Sequence, residues 1–77
     1  MMINKIINYI KDENFKIIYA NNSVDVMNYD TLLEVKSDVV TLTKEDKLLF
    51  IRGKDLKLDK LLDNEIIITG LILTIEL

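Results

Sequence analysis

The chain has 77 residues, no cysteine, no histidine and a formal net charge of −3. This length corresponds to one domain, near the lower limit for a fold without a disulfide or metal to stabilise it. The missing residue types exclude a disulfide framework, a thiolate metal site and the commonest general base, and the acidic balance does not favour nucleic acid or an anionic membrane as a partner.

The first predicted element is a short amphipathic helix within residues 1–12. Its apolar side chains follow the i, i+3, i+4, i+7 spacing that places them on one helical face: Ile3, Ile6, Ile7 and Ile10. So short a helix is stable only when it docks on the rest of the protein. Because isoleucine also favours strands, a short strand or a tail remains the alternative for this segment.

From Phe15 onward, apolar residues recur with period two, which is typical of half-buried strands. Seven or eight short strands are predicted, at residues 15–20, 24–27, 32–35, 39–43, 48–52, 56–58, 65–69 and 71–76. The connections are short, which favours antiparallel neighbours. We therefore predict one mainly β domain spanning residues 1–77, in which residues 15–77 form an antiparallel meander. The meander is expected to twist or roll into a half-barrel, either open or closed.

Two isolated glycines interrupt the later strands, and we interpret both as backbone devices. Gly53 is expected to supply a positive φ or a bulge, and neither it nor Gly70 belongs to a glycine cluster of the kind that binds phosphate. Arg52 and Lys54 flank Gly53 and form a candidate contact site for a small anion. A cross-strand ion pair is the more ordinary role of such an arginine.

The acidic residues show neither the spacing of a calcium loop nor that of an acid–base pair. The serines, without a histidine, are read as turn residues rather than nucleophiles. We predict no catalytic, cofactor-binding or metal-binding residue, no small-molecule substrate, and no enzymatic activity.

The last two predicted strands are apolar at consecutive positions instead of alternating cleanly. An antiparallel strand with one solvated face should alternate, and an open apolar edge without proline or charge promotes association. We therefore predict an interface with another copy or with a partner protein, in which the odd-numbered residues from 71 to 77 share one face. The predicted interface consists of Ile66, Ile68, Leu71, Ile72, Leu73, Ile75 and Leu77.

The chain shows no sign of a membrane-spanning or secretory segment. No apolar run approaches the roughly 18 residues of a transmembrane helix, and the first residues lack the apolar region and cleavage site of a signal peptide. A cytoplasmic protein is expected. Nine lysines accompany a single arginine, with many isoleucines and asparagines, and this bias towards AT-rich codons indicates a low-GC bacterium.

Three segments occur in a recognisable order. Residues 24–34 read VDVMNYDTLLE, residues 51–58 read IRGKDLKL, and residues 65–75 read EIIITGLILTI. They resemble the motifs I-E-N-Y-x-G-(I/L)-(I/L)-E, I-x-G-x-x-L-x-I and E-(I/L)-x-I-x-G-x-I-x-x-I of the YabP/YqfC family of bacterial sporulation proteins, closer to the YqfC branch. The resemblance covers residues 15–77 and gives structural roles to Asn28, Tyr29, Gly53 and Gly70. Asp30 and Thr31 stand where the family usually has a glycine.

The resemblance implies a small protein made in the mother-cell compartment of a sporulating bacterium and contributing to the spore coat or cortex. The family brings no catalytic residues. We expect a non-enzymatic assembly or adaptor protein that acts through β-sheet and hydrophobic contacts, by self-association or with another sporulation protein. Two alternatives remain open: an anion-binding module that uses Arg52 and Lys54, and a structural protein of a phage or mobile element.

Overall fold

The computed structural model describes residues 14–20 and 22–77, which form one antiparallel sheet. Its strands are β1 (Lys16–Ala20), β2 (Ser23–Met27), β3 (Thr31–Val35), β4 (Val39–Lys44), β5 (Lys47–Leu62) and β6 (Glu65–Glu76). Their order across the sheet is β1-β2-β6-β5-β4-β3. The predicted mainly β fold is confirmed, whereas the helix predicted at residues 1–12 lies outside the described residues. Within residues 14–20 and 22–77, no helix is long and apolar enough to cross a membrane.

The strand count is lower than predicted because two pairs of predicted strands are continuous. Residues 48–52 and 56–58 belong to the single strand β5, and residues 65–69 and 71–76 belong to β6. The bend in β5 keeps its backbone donors satisfied: the amides of Gly53 and Leu56 donate to the carbonyl oxygens of Asp38 and Ser37, at 3.0 and 2.9 Å. Gly53 and Gly70 therefore lie inside the two long strands, beside register shifts, and do not end them.

The strand order also departs from the predicted meander. β3, β4, β5 and β6 do follow one another across the sheet, but β2 pairs with β6 and not with β3. The register runs from Ser23 opposite Thr69 to Met27 opposite Glu65. Asn28, with a φ of 62°, turns the chain away at the end of β2, so that β3 forms the far edge of the sheet.

The core joins the two ends of the sheet. β2 and β4 lie on opposite sides of the β5–β6 pair, yet their inward side chains belong to one buried cluster, so the sheet curls over them as predicted. The sheet stays open, since β1 and β3 do not pair with each other. The fully buried members of the cluster are Val24, Val26, Val40, Leu42, Leu49, Ile51, Ile66 and Ile68.

Candidate interaction surface

The two glycines lie where the backbones of β5 and β6 approach each other closely. A Cβ atom on Gly53 would stand 1.9 Å from the carbonyl oxygen of Leu71, and one on Gly70 would stand 2.6 Å from the carbonyl oxygen of Asp55. The positive φ angles belong to Gly70 (131°) and Asp55 (54°), whereas Gly53 lies at a register shift between β5 and β6. Both glycines therefore serve backbone packing, since each faces a neighbouring strand.

The Asn28-Tyr29 pair forms the turn between β2 and β3. The backbone amide of Asn28 donates to the carbonyl oxygen of Asn64 at 2.6 Å, and Tyr29 packs against the core, where burial raises the pKa of its hydroxyl. The carboxylate of Asp30 accepts a hydrogen bond from the backbone amide of Glu45 at 2.7 Å. Asp30 thus ties the turn between β2 and β3 to the β4–β5 connection.

The structure divides the seven predicted interface residues into two groups. Ile66 and Ile68 are fully buried and Ile72 is 8% exposed, so these three side chains belong to the core and are unavailable to a partner. The other four are exposed, on the second half of β6 and the residue that follows it, to fractions of 48, 57, 36 and 72% respectively: Leu71, Leu73, Ile75 and Leu77. We call these four residues the β6 apolar edge.

A bulge distributes the β6 apolar edge over both faces of the sheet. β6 contains one extra residue, Leu73, between the residues that face Arg52 and Gly53 of β5. Because opposite residues of an antiparallel pair share a face, this extra residue reverses the alternation beyond it. Leu71 and Ile75 consequently lie on opposite faces. The prediction that the odd-numbered residues share one face is wrong.

One residue beside the β6 apolar edge was not singled out from the sequence. Tyr19 lies directly opposite Val24, which places its side chain on the core side of β1, yet Tyr19 is 60% exposed. It contributes to a groove of about 280 Å³ that is also lined by Ile72, Leu73, Thr74 and Ile75. Only the curl of the sheet brings β1 to β6 here, so no local pattern in the sequence could have shown it.

Arg52 and Lys54 share a face, but they are engaged differently. The Nε atom of Arg52 lies 3.5 Å from Oε2 of Glu76, and its guanidinium lies 4.9 Å from the centre of the Phe50 ring. Lys54 is exposed and forms no ion pair with a described acidic residue. Arg52 thus has the cross-strand ion pair that is ordinary for an exposed arginine, which leaves Lys54 as the cation available to an outside group.

A pair of carboxyl groups, also not singled out from the sequence, lies on the outer face of β2 and β6. Asp25 and Glu65 are diagonal neighbours, because Asp25 is opposite Ile67 and Glu65 is opposite Met27. Hydrogen bonding with Asp25 raises the pKa of Glu65, as do burial and the charge of Asp25, while Lys60 lowers it. The Oδ1 atom of Asp25 is buried without a hydrogen-bond partner among the described residues.

Comparison with protein-family models, with curated proteins and with solved structures finds no match.

Proposed function

We propose that this chain is a non-enzymatic assembly or adaptor protein, which uses the β6 apolar edge to bind another protein during the formation of a bacterial spore envelope. Assembly uses the two kinds of contact that a β-sheet offers: backbone hydrogen bonding at a strand edge, and burial of the aliphatic side chains beside it.

The observation that carries the proposal is the exposure of four large aliphatic residues along one strand half. Isolated apolar residues on a surface need no explanation, whereas a cluster of exposed apolar residues marks an interaction site. Leu71, Leu73 and Ile75 of β6 and Leu77 just after it line one strand edge on both of its faces, and the exposed Tyr19 lines a groove with Leu73 and Ile75. Burial of this surface by a partner would give a hydrophobic driving force proportional to the apolar area covered.

The spore-envelope context is supported by the three sequence segments that resemble the YabP/YqfC family. In the structure these segments contain the β2–β3 turn with Asn28 and the two close approaches at Gly53 and Gly70. Each motif therefore coincides with a backbone feature that constrains its residue types. A cytoplasmic, mother-cell location is part of the same proposal.

The test is an affinity capture from sporulating cells with three forms of the full chain as bait. The first is the wild type, and the second is the double variant Leu71→Ser/Leu73→Ser, which removes apolar surface from the β6 apolar edge. The third is the matched control Leu33→Ser/Leu61→Ser, whose leucines are 54 and 56% exposed and lie on β3 and the far end of β5. Circular dichroism checks that all three are folded.

We expect the wild type and the control to retain the same identified coat or cortex protein, and the edge variant to lose it. Equal capture by all three baits would mean that the β6 apolar edge is not the binding surface. Recovery of no spore-envelope protein by any bait would overturn the spore-envelope assignment.

A further inference from the structure

The second half of β6 has a strand on one side only. β2 pairs with Glu65–Thr69 and ends there, whereas β5 continues alongside β6 as far as Glu76. Residues 71–76 therefore present backbone N–H and C=O groups on the side away from β5, where no described strand lies. Such a row is a template for another extended strand.

The other open edges of the sheet carry the features that discourage pairing. β1 is only five residues long and begins with Lys16, while β3 contains a bulge and Glu34, which pairs with Lys36 at 3.3 Å. The second half of β5 carries charged side chains at Lys57, Asp59 and Lys60 and two register shifts. Short length, charge and bulges are recognised protections of edge strands.

Residues 71–76 of β6 have less protection than these edges. Glu76 is their one charged residue, and it is held by Arg52 of the same chain. The bulge at Leu73 is the one irregularity. This half-strand is therefore the edge best suited to accept a strand.

The bulge selects the register in which a second copy fits. Leu71 lies on the face of Lys54, its partner on β5, whereas Ile72 lies on the core face. Beyond the bulge, Glu76 lies on the outer face and Ile75 on the core face, opposite Ile51. A two-fold antiparallel pair that uses the whole of residues 71–76 places Leu71 opposite Glu76 of the other copy and Ile72 opposite Ile75, and this register keeps matching faces together.

We propose that the occupant of this edge is a second copy of the chain, paired antiparallel through residues 71–76 in this register. The inference rests on the proposed function and adds a second contact at the same strand: the backbone edge pairs with the second copy, and the exposed side chains of the β6 apolar edge bind the spore-envelope protein. In the paired sheet, Glu76 of each copy lies beside Leu71 of the other. Leu71 in turn lies beside Lys54, so Lys54 and Glu76 of the other copy share a face with one strand between them. Two strand spacings of about 4.8 Å separate the two backbones, a distance that the lysine and glutamate side chains together can span.

The charges of the paired edges are complementary by symmetry. Each copy contributes one cation without an ion pair to a described acid, Lys54, and one acid, Glu76, which also faces Arg52, and the two-fold relation brings each Lys54 towards Glu76 of the other copy. On the core face, Ile75 of each copy lies in register with the buried Ile72 of the other. This arrangement predicts a reciprocal charge dependence that binding to an unrelated partner would not produce.

The experiment measures the self-association of the full-length wild type, Lys54→Glu, Glu76→Lys and their equimolar mixture by analytical ultracentrifugation over a range of concentrations. Either single reversal places like charges together at both symmetric contacts, so we expect dimer affinity to fall about tenfold or more. In the mixture, Glu at position 54 of one chain meets Lys at position 76 of the other, while the second contact is native. We therefore expect mixed dimers to form, and native mass spectrometry with one variant isotopically labelled identifies them.

A second measurement reports on the backbone. Hydrogen exchange of the amides in residues 71–76 should slow as the wild-type concentration rises, and this protection should be absent in Leu73→Lys. Leu33→Lys is the matched control, because Leu33 is likewise the extra residue of a bulge and is 54% exposed, against 57% for Leu73. We expect Leu33→Lys to associate like the wild type.

A wild type that stays monomeric at all concentrations would overturn the inference, and would indicate that residues outside the described part or a different protein cover the edge. Association unaffected by either charge reversal, or a mixture that forms no mixed dimer, would also overturn it. If the monomeric wild type still captures a spore-envelope protein, only the second-copy inference fails. If dimers form as expected but no such protein is captured, only the proposed function fails.

Discussion

Substitution of Gly53 by alanine tests the close approach of β5 and β6, which shapes the whole sheet. The added methyl carbon would stand 1.9 Å from the carbonyl oxygen of Leu71, whereas a carbon and an oxygen in contact are separated by about 3.4 Å. Relieving the overlap requires a movement of roughly 1.5 Å. Because the obstructing atom belongs to the backbone of β6, no side-chain rotation can relieve the overlap.

The expected cost follows from the two strands that must separate. Overpacking of this kind costs about 1–3 kcal/mol, and each β5–β6 hydrogen bond weakened by the movement adds about 1 kcal/mol. A total of about 3–4 kcal/mol approaches the whole stability expected of a domain of this size, about 3–5 kcal/mol. Gly53→Ala should therefore be largely unfolded or shift the urea midpoint far below that of the wild type.

The assay is urea unfolding followed by circular dichroism at a fixed protein concentration. Lys57→Ala is the control, because Lys57 is an exposed residue of the same strand, and its free energy of unfolding should change by no more than about 0.5 kcal/mol. A Gly53→Ala midpoint equal to the control's would refute the close approach, and with it the explanation of the glycine in the 51–58 motif.

Three further predictions use the same unfolding assay. Leu42→Ala, in the buried core, should cost about 2–5 kcal/mol, while Leu33→Ala on the surface should cost about 0.5 kcal/mol; similar losses would contradict the core assignment. Asn28→Ala should lower the free energy of unfolding by about 1–2 kcal/mol, because it keeps a side chain at φ 62° and loses the hydrogen bond from Nδ2 to the carbonyl oxygen of Asn14. Asn28→Gly should recover about half of that loss, and equal costs of the two variants would rule out backbone strain. Asp25 raises the pKa of Glu65 in the folded protein. The stabilising contribution of Glu65 is therefore complete at pH values below 4.5, its ordinary pKa, and is lost as pH rises through the raised pKa. Glu65→Gln should abolish that loss. If the urea midpoints of the wild type and of Glu65→Gln change with pH in parallel, the raised pKa of Glu65 is contradicted.

The identity of the strands could be predicted because it is a local property. Alternation in β2 places Val24 and Val26 on one side and Asp25 on the other, and the structure buries both valines fully. This pattern is visible without knowledge of the partner strand, since side chains alternate along any strand. The same reasoning recognised the mainly β fold from residue 15 onward.

The length of the strands and their partners could not be predicted, because both are set by contacts distant in sequence. Gly53 and Gly70 look like strand ends when each run is considered alone. They lie inside strands because β5 and β6 support each other across both bends. The pairing of β2 with β6 joins Ser23 to Thr69, and no local pattern encodes a contact across that separation.

The candidate surface was only partly accessible to sequence reasoning for a related reason. Apolar residues at consecutive positions of β6 predicted that both of its faces are covered, but the pattern is the same whether the cover is the core or a partner. Burial assigns Ile66 and Ile68 to the core and leaves Leu71 and Leu73 at the surface. The bulge that redistributes the exposed residues depends on the register with β5, which the sequence of β6 does not contain.

The division of β6 at Gly70 implies that folding and association can be separated within one strand. Up to Thr69 the strand lies between β2 and β5, so a polar substitution at Ile66 or Ile68 removes buried contacts from the core. Beyond Gly70 one side is open, and a polar substitution at Leu73 changes a side chain that is already 57% exposed. Ile68→Ser should therefore unfold the chain and lose binding together, whereas Leu73→Ser should lose binding while its urea midpoint stays close to that of the wild type. Loss of stability by Leu73→Ser to the same extent as by Ile68→Ser would show that the end of β6 belongs to the core, and the strand would then have no surface to offer.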